Sequence, residues 1–560
     1  MKKIIIIGGV AIGATAAARL RRKSEEDHII MFEKDEYISF ANCGLPYYIG
    51  ETITDRNKLI VQQVEGMSKR YNLDIRNNSE VISINREAKT VTVLNRKESK
   101  EYTESYDKLI IGTGSKPIKP PFEGMSEASN IMTLRNIPDT DAIKAMVDKS
   151  DVKNITVVGG GFIGVEVAEN LVERGKNVTL VDLADQVLAP FDFEMAQILH
   201  TKLENKGVKL LLGQKMAGFA NQGKIVKLES GIEIPSDLTV LAIGVSPESK
   251  LAVDAGLEVN ERNAIKVNEY MQTSDENIFA GGDAIAVQHY LDSSKEVYIP
   301  LAWPANRQAR LIADNVNGDK VKYPGTLGSS VLKVFELTAA ATGASEKLLK
   351  MWNMKYEILH IHRGNHAGYY PGAANIAMKL IFNPENGQIY GAQAIGPNGT
   401  EKRIDVIATA IKGKLTVEDL IDLELTYAPP FNSAKDPVNI AGYVASNLMD
   451  GSTKQVQWNE LDEKLSAGAV LIDVRTSAEN EFGNIPGNIN IDLDTLRDKL
   501  DTISQYKDKE VILHCAVGFR GYLAEQILRQ NGFKNVANLA GGYTTYSSAK
   551  YQLKGMNLKK

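Results

Sequence analysis

Cysteine is nearly absent from this sequence. Among 560 residues there are two, Cys43 and Cys515. That is too few for a disulfide framework, and it suits a reducing, cytoplasmic setting. An excess of charge of one sign is missing too: 65 Lys and Arg stand against 70 Asp and Glu, for a net charge of −5. This balance gives no reason to expect nucleic acid or a membrane surface as partner. No apolar run approaches the ~18 residues that a membrane span needs. The start, Met1-Lys2-Lys3-Ile4-Ile5-Ile6-Ile7, faintly resembles a secretory leader, but the apolar run ends at Gly8-Gly9 and no A-x-A cleavage site follows a longer one. A buried parallel strand fits it better. What remains is ordinary for a globular chain, with 43% hydrophobic and 24% charged residues. The length is too great for one core, so about three or four domains are expected.

Two segments carry the chemistry of nucleotide binding. In the first, a strand Lys3–Ile7 runs into Gly8-Gly9-Val10-Ala11-Ile12-Gly13, then a helix to about Lys23, then a strand His28–Phe32 ending at Glu33. Gly8, Gly9 and Gly13 let backbone N–H groups approach a pyrophosphate at the positive helix end, and Glu33 stands where a ribose hydroxyl is read. Val10 takes the place of the middle glycine. The second unit has every glycine: strand Asn154–Val158, Gly159-Gly160-Gly161-Phe162-Ile163-Gly164, helix Val165–Glu173, and strand Asn177–Val181 ending at Asp182. Asp182 would bond the 2′-hydroxyl of NADH. A 2′-phosphate would meet an unpaired carboxylate there, and Leu183-Ala184-Asp185 offers no arginine.

Two further segments turn this into a resemblance. Leu109-Ile110-Ile111-Gly112-Thr113-Gly114-Ser115 reads as a strand ending in a small-residue turn, and Thr273–Asp283 as a strand ending in Gly-Gly-Asp. In this order they resemble the two-dinucleotide flavoproteins, which implies FAD in the first unit, with Thr113, Gly114 and Asp283 beside it, and NADH or NADPH in the second. Cys43, in Ser39-Phe40-Ala41-Asn42-Cys43-Gly44, has no cysteine nearby, so the internal disulfide of the glutathione-reductase type cannot form. The run is similar to the single-cysteine branch: coenzyme A-disulfide reductase, NADH oxidase and NADH peroxidase. Three features favour the first. Arg19, Arg21 and Arg22 lie within one turn of the first helix, and arginine grips phosphates such as those of coenzyme A. The histidine that the oxidases and peroxidases place in the first glycine turn is replaced by Val10. His366-Ala367-Gly368-Tyr369-Tyr370-Pro371-Gly372 and Leu425–Asn432 resemble the two tyrosine motifs of the coenzyme A-disulfide reductases. The resemblance implies Tyr369 and Tyr427 as a catalytic pair reaching the partner subunit's site. It implies Thr15, Arg19, Arg22, Ser39, Asn42, Asn306 and Lys435 as substrate contacts.

After the polar stretch Gly451–Gln455 a new pattern begins. Asp473-Val474-Arg475, Ile485–Ile489, the run Cys515–Arg520 between a strand and a helix, and Leu539-Ala540-Gly541-Gly542 resemble a single rhodanese domain. Inward N–H groups of such a loop stabilise a thiolate or persulfide at Cys515, with Arg520 closing the loop by its positive charge.

The expected fold is α/β: two Rossmann-like dinucleotide-binding domains (FAD, 1–150 and 270–325; NAD(P)H, 151–269), an α+β dimerisation domain (326–450) and an α/β rhodanese domain (456–560). The expected function is reduction of coenzyme A disulfide, coenzyme A persulfide or polysulfide through a mixed disulfide at Cys43, in a cytoplasmic homodimer with shared sites. Cys515 would carry sulfane sulfur, and no metal is expected. Two alternatives stand beside it: an NADH oxidase or peroxidase cycling Cys43 through sulfenic acid, and a sulfur carrier whose flavoprotein half is a scaffold.

Overall fold

A computed structural model describes residues 1–554. It divides into two compact units, 1–185 with 207–328, and 186–206 with 329 onward.

The first unit holds two parallel sheets. Ile4 to Ile7 form the centre of the first because they are aliphatic on both faces and buried to 6% exposure or less. Lys3–Ile7 is flanked by His28–Phe32 and Lys108–Ile111, with Ile278–Ala280 and Asp74–Arg76 outermost. The strand expected over Thr273–Asp283 is only these three residues, because Asp275 folds the preceding segment into a turn. Its Oδ1 accepts from Asn277 N at 2.9 Å and its carbonyl from Ile278 N at 3.0 Å. The second sheet runs Lys209–Leu211, Asn177–Val181, Asn154–Val158, Leu238–Leu241 and Ile131–Met132. Its edge strand thus precedes the boundary expected at residue 150. The helix of this unit starts at Phe162, three residues ahead of the expected Val165, because Gly161 already serves as its N-cap.

The second unit holds two sheets. An antiparallel one runs Ser330–Val334, Leu337–Gly343, Ile389–Gly396, Asn375–Phe382, Glu357–Gly364. The helix Phe193–Asn205 belongs with this sheet through a buried ion cluster. Lys379, fully buried, lies 2.9 Å from Asp192 and 2.5 Å from Glu194, and also bonds Glu346. A buried ammonium needs such company, since an unpaired charge away from water is costly. The other sheet is parallel: Gln455–Val456, Asn535–Leu539, Glu510–His514, Val470–Asp473, Ile489–Asn490.

The polar stretch before it is pinned. The buried carboxylate of Glu525 accepts from Thr453 Oγ1 and, at 2.9 Å, from Lys454 N, and Gln526 Nε2 donates to Ser452 O at 2.7 Å. The two domains also meet directly, with His362 Nε2 2.7 Å from Thr545 Oγ1.

Candidate active site and its relatives

Both glycine turns repeat one device. The acidic residue ending the second strand takes the N–H of the turn's second glycine: Glu33 Oε2 accepts from Gly9 N at 2.8 Å, and Asp182 Oδ2 from Gly160 N. Glu33 Oε1 also accepts from Asp35 N at 3.0 Å and Asp182 Oδ1 from Ala184 N at 2.7 Å. Burial pushes the Glu33 carboxyl up, against the pull of those two backbone bonds.

The glycines have two different reasons. A Cβ on Gly13 would lie 1.8 Å from Gly8 O, and one on Gly164 1.8 Å from Gly159 O, so these serve helix–strand packing. Gly8 and Gly159 are likewise closed in by backbone. A Cβ on Gly161 would meet nothing within 4 Å. Packing does not require a glycine there, whereas a pyrophosphate approaching the main chain does. Neither helix, Ala11–Lys23 nor Phe162–Glu173, has a side chain capping its first N–H groups. Those donors are left for an anion, so the residues fit FAD at the first glycine turn and NAD(P)H at the second.

Several of the expected residues are bonded to one another or to the glycine turns, and Asp283 lies within electrostatic reach of Cys43. Cys43 lies in the 3-10 turn Asn42–Gly44 and is exposed. Ser39, just before it, is in the left-handed region at φ 43° and donates its N–H to Gly9 O at 3.0 Å, which ties the cysteine segment to the first glycine turn. Asp283 accepts from Ser115 Oγ at 2.9 Å, and Gly114 O accepts from Glu248 N at 2.9 Å. Thr113 Oγ1 donates to Glu248 O at 2.5 Å. Although the residue is exposed overall, partial desolvation of its sulfur, then the carboxylates of Glu166 and Asp283, push the Cys43 thiol above its ordinary range. Thr15 Oγ1 donates to Asn306 Oδ1 at 2.9 Å, so two expected substrate contacts form one hydrogen-bonded pair. Asn42 is exposed next to Cys43.

The arginine turn is less uniform than its sequence implies. Arg22 is exposed, but Arg19 is bound to Asp314 at 2.8 Å. Arg21 is buried and spends its guanidinium on the carbonyls of Ser24, Tyr71 and Asn72. It shares the inward stripe of Ala14 and Ala17, seven and four positions earlier.

In the second unit, Tyr369 Oη and Tyr427 Oη are 2.9 Å apart, and both side chains are exposed. Their loops share a residue that the sequence reading did not single out. Arg403, 1% exposed, donates to Asn365 O and Asn432 Oδ1 at 2.8 and 2.9 Å, to Asp436 at 3.1 Å and to Gly399 O at 2.8 Å. Asn365 closes the Tyr369 loop through two bonds with Ala374, and Asn432 closes the Tyr427 loop through Thr426 O. One guanidinium therefore anchors both. A sequence signal existed: Arg403 lines up with Ile407, Ala410 and Ile411 on the buried face of the helix Thr400–Lys412. Lys435 is exposed, with its ammonium 5.9 Å from the Tyr443 ring centroid.

Cys515 directly follows the strand Glu510–His514 and is 1% exposed, with Gly518 N–H donating to its sulfur at 3.1 Å. The loop is shorter than expected. The helix begins at Phe519, because Gly518 at φ 100° turns the chain, and Arg520 sits in its first turn. Arg520 does not bring a bare charge: its fork binds Glu479 at 2.8 and 2.6 Å. Arg520, first among several bonds, holds the Glu479 carboxyl down to about 2. The wall behind the cysteine is Gly541-Gly542. A Cβ on Gly542 would be 2.4 Å from Cys515 O, and Tyr543 N donates to that oxygen at 2.8 Å.

The family model described as pyridine nucleotide-disulphide oxidoreductase matches residues 2–309. The chain belongs to this family. It shares the family's oxidoreductase character and its use of FAD and NAD(H). The dimerisation domain of the same family matches residues 329–437, and a rhodanese-like domain residues 457–549. Coenzyme A disulfide reductase of Staphylococcus aureus is 37% identical over 446 residues, 80% of this chain and 100% of the relative. Among solved structures, a reduced Bacillus anthracis CoADR-RHD is 54% identical with a TM-score of 0.96, covering 98% of each chain. An NAD-dependent persulfide reductase from A. fulgidus is 35% identical with a TM-score of 0.91, covering 98% of this chain and 100% of its own. A water-forming NADH oxidase from Lactobacillus brevis is 27% identical with a TM-score of 0.77, over 81% of this chain and 100% of the oxidase. Among the described residues no helix is long and apolar enough to cross a membrane.

Proposed function

We propose that this oxidoreductase reduces coenzyme A disulfide, coenzyme A persulfide or polysulfide at Cys43 with electrons from NADH or NADPH. Cys515 serves as carrier of sulfane sulfur. The observation that carries the reading is that Cys43 stands exposed and is the only cysteine of its compact unit, Cys515 lying in the other. In this reading its disulfide partner is a substrate sulfur. The relatives named for coenzyme A disulfide and persulfide reduction support the same choice.

Glu33, Thr113, Gly114 and Asp283 would hold FAD, and Asp182 with the Gly159–Gly164 turn would hold the nicotinamide nucleotide. FAD, when bound, supplies two electrons received as hydride from NAD(P)H. The Cys43 thiolate attacks the substrate disulfide, a bond forms between Sγ and the coenzyme A sulfur, and the second thiolate leaves. Two electrons then cleave that bond, returning the Cys43 thiolate and free coenzyme A. Thr15 with Asn306, Ser39, Asn42, Arg19, Arg22 and Lys435 orient the substrate. In a homodimer with shared sites, Tyr369 and Tyr427 reach the partner subunit's Cys43 and donate a hydrogen bond or proton to the leaving thiolate. At the second site, the Gly518 N–H and Arg520 hold sulfur on Cys515, and its separate loop gives the rhodanese domain its own chemistry.

Replacing Cys43 by Ser tests this. NADH-dependent reduction of coenzyme A disulfide and persulfide should be lost while flavin absorbance on the same sample is unchanged. Undiminished turnover would refute the mechanism.

A further inference from the structure

The segment that follows Cys43 is packed against the helix that opens with the second glycine turn. The short helix Leu45–Ile49 lies on Phe162–Glu173 so closely that a Cβ on Gly50 would be 2.0 Å from Asn170 Oδ1. This contact brings Tyr47 Oη to 3.4 Å from Glu166 Oε1, with the phenol donating. Three positions on, Glu169 is 1% exposed. Among the described residues no Lys or Arg forms an ion pair with Glu166. The mechanism above gives this carboxyl no role, although it lies within electrostatic reach of the reactive thiol.

We propose that Glu166 is the proton store of the Cys43 site. It carries a proton while Cys43 is a thiolate and is ionised while Cys43 is a thiol or is tied in a mixed disulfide.

The Tyr47 hydrogen bond and the helix contact place Glu166 beside the segment that carries Cys43, and two further observations support the proposal. Burial raises the Glu166 carboxyl to about 7, against the pull of the Tyr47 bond and with a further push from Glu169, so its proton is exchangeable near neutrality. Glu166 is the first charge, after burial itself, that resists ionisation of Cys43. A second negative charge in this pocket is therefore accommodated by neutralising the first. In chemical terms the S–H bond of Cys43 breaks and an O–H bond forms on Glu166, with no net change in charge. When two electrons from NAD(P)H cleave the mixed disulfide and create the thiolate, Glu166 takes its proton from solvent.

The titratable groups facing this pair are few. Tyr47 and Glu169 face Glu166, and Asp283 joins Glu166 in facing Cys43. On the neighbouring helix Ile137–Val147, Lys144 is held by Glu51 and Asp148, and Asp141 by Arg56. Glu166 acts on the sulfur through its charge and is thus a positioning residue. The inference rests on the proposed function only in taking Cys43 as the reactive thiol, and it is tested without any coenzyme A substrate.

The experiment follows the rate of iodoacetamide modification of Cys43 in the purified reduced holoenzyme, from about pH 6 to about pH 9.5. Mass spectrometry of the Cys43 peptide separates it from Cys515. In Glu166→Gln the rate should rise about three- to tenfold near pH 8.5 and converge on the wild-type rate near pH 6, where Glu166 is already neutral. Tyr47→Phe removes the bond that stabilises the carboxylate, so the break in the wild-type profile should move to higher pH. A loosened structure would raise the rate by the same factor at every pH. Either that pattern, or equal rates for Glu166→Gln and wild type near pH 8.5, would overturn the proposal. Normal turnover in Cys43→Ser would instead remove the proposed function and leave this titration standing.

Discussion

Tyr369 and Tyr427 share a hydrogen bond of 2.9 Å between their phenol oxygens, across 58 positions of sequence. That bond, with a smaller contribution from desolvation, pushes the Tyr369 phenol above its ordinary range, so it stays a proton donor throughout the neutral range. Both rings are exposed, which the proposed shared-site dimer requires. Mixing inactive Cys43→Ser chains with inactive Tyr369→Phe/Tyr427→Phe chains should restore part of the coenzyme A disulfide reductase activity through heterodimers. One of the two sites in each would then have both wild-type contributions. No recovery after verified subunit exchange would place cysteine and tyrosines in one chain's site, or make the tyrosines structural.

Arg403 should matter more to the tyrosines than its distance in sequence implies. Arg403→Met leaves Asp436 buried without its ion pair and frees both loops. The expected cost is about 3–5 kcal/mol of stability. Arg403→Lys keeps the charge but loses the fork, and should keep part of the stability while turnover falls with the tyrosine loops unanchored. Denaturant unfolding read beside steady-state turnover of the two variants checks this. Equal turnover in wild type and Arg403→Lys would confine Arg403 to folding.

NADH should be used at least as well as NADPH, because both Asp182 oxygens are fixed by backbone N–H groups and the carboxylate cannot readily swing away. Facing a 2′-phosphate, it costs about 1–3 kcal/mol, or roughly tenfold or more in affinity. Asp182→Ala with Leu183→Arg should turn the preference toward NADPH, since Leu183 is 67% exposed and can carry a guanidinium without repacking. The ratio of kcat/KM for the two nucleotides decides it, and a wild-type preference for NADPH would be fatal.

Cys515→Ser should spare NADH-dependent reduction of soluble coenzyme A disulfide or persulfide, because the Cys43 site is chemically complete for small thiols. Sulfur transfer from polysulfide or protein-bound donors should disappear, and thiosulfate:cyanide sulfurtransferase activity with it. If disulfide reduction falls as far as in Cys43→Ser with flavin content intact, the two cysteines form one obligatory relay.

The parts of this molecule that can be read from sequence are those fixed by local runs. The strands Lys3–Ile7, His28–Phe32, Asn154–Val158 and Asn177–Val181 fall where their aliphatic runs end at a turn or an acidic residue. The Cys43 neighbourhood follows from motifs whose spacing is itself chemical. Arg403 and Glu166 were not singled out, since each gets its role from residues far along the chain. A charge on a helix reads as a solvated face until the packing is known. Arg21 errs in the opposite direction: grouped with Arg19 and Arg22 by proximity, it points inward because a helix turns by 100° per residue. Gly451–Gln455 reads in sequence only as a polar break, and its buried partner Glu525, 72 positions beyond Thr453, is not legible there.

That pinned stretch, together with the bond between His362 and Thr545, has a consequence for how the chain comes apart. The strand Glu357–Gly364 buries His360 and His362, and Gly541 lies so near that a Cβ on it would be 2.9 Å from the His360 Cβ. The wall behind Cys515 is therefore built partly on the dimerisation domain. Residues 329–554 should melt as one cooperative body. A chain cut at the polar stretch would uncover a seam of imidazoles and carbonyls that the whole protein keeps dry, and would be prone to clump before it lost a single residue of its flavin site.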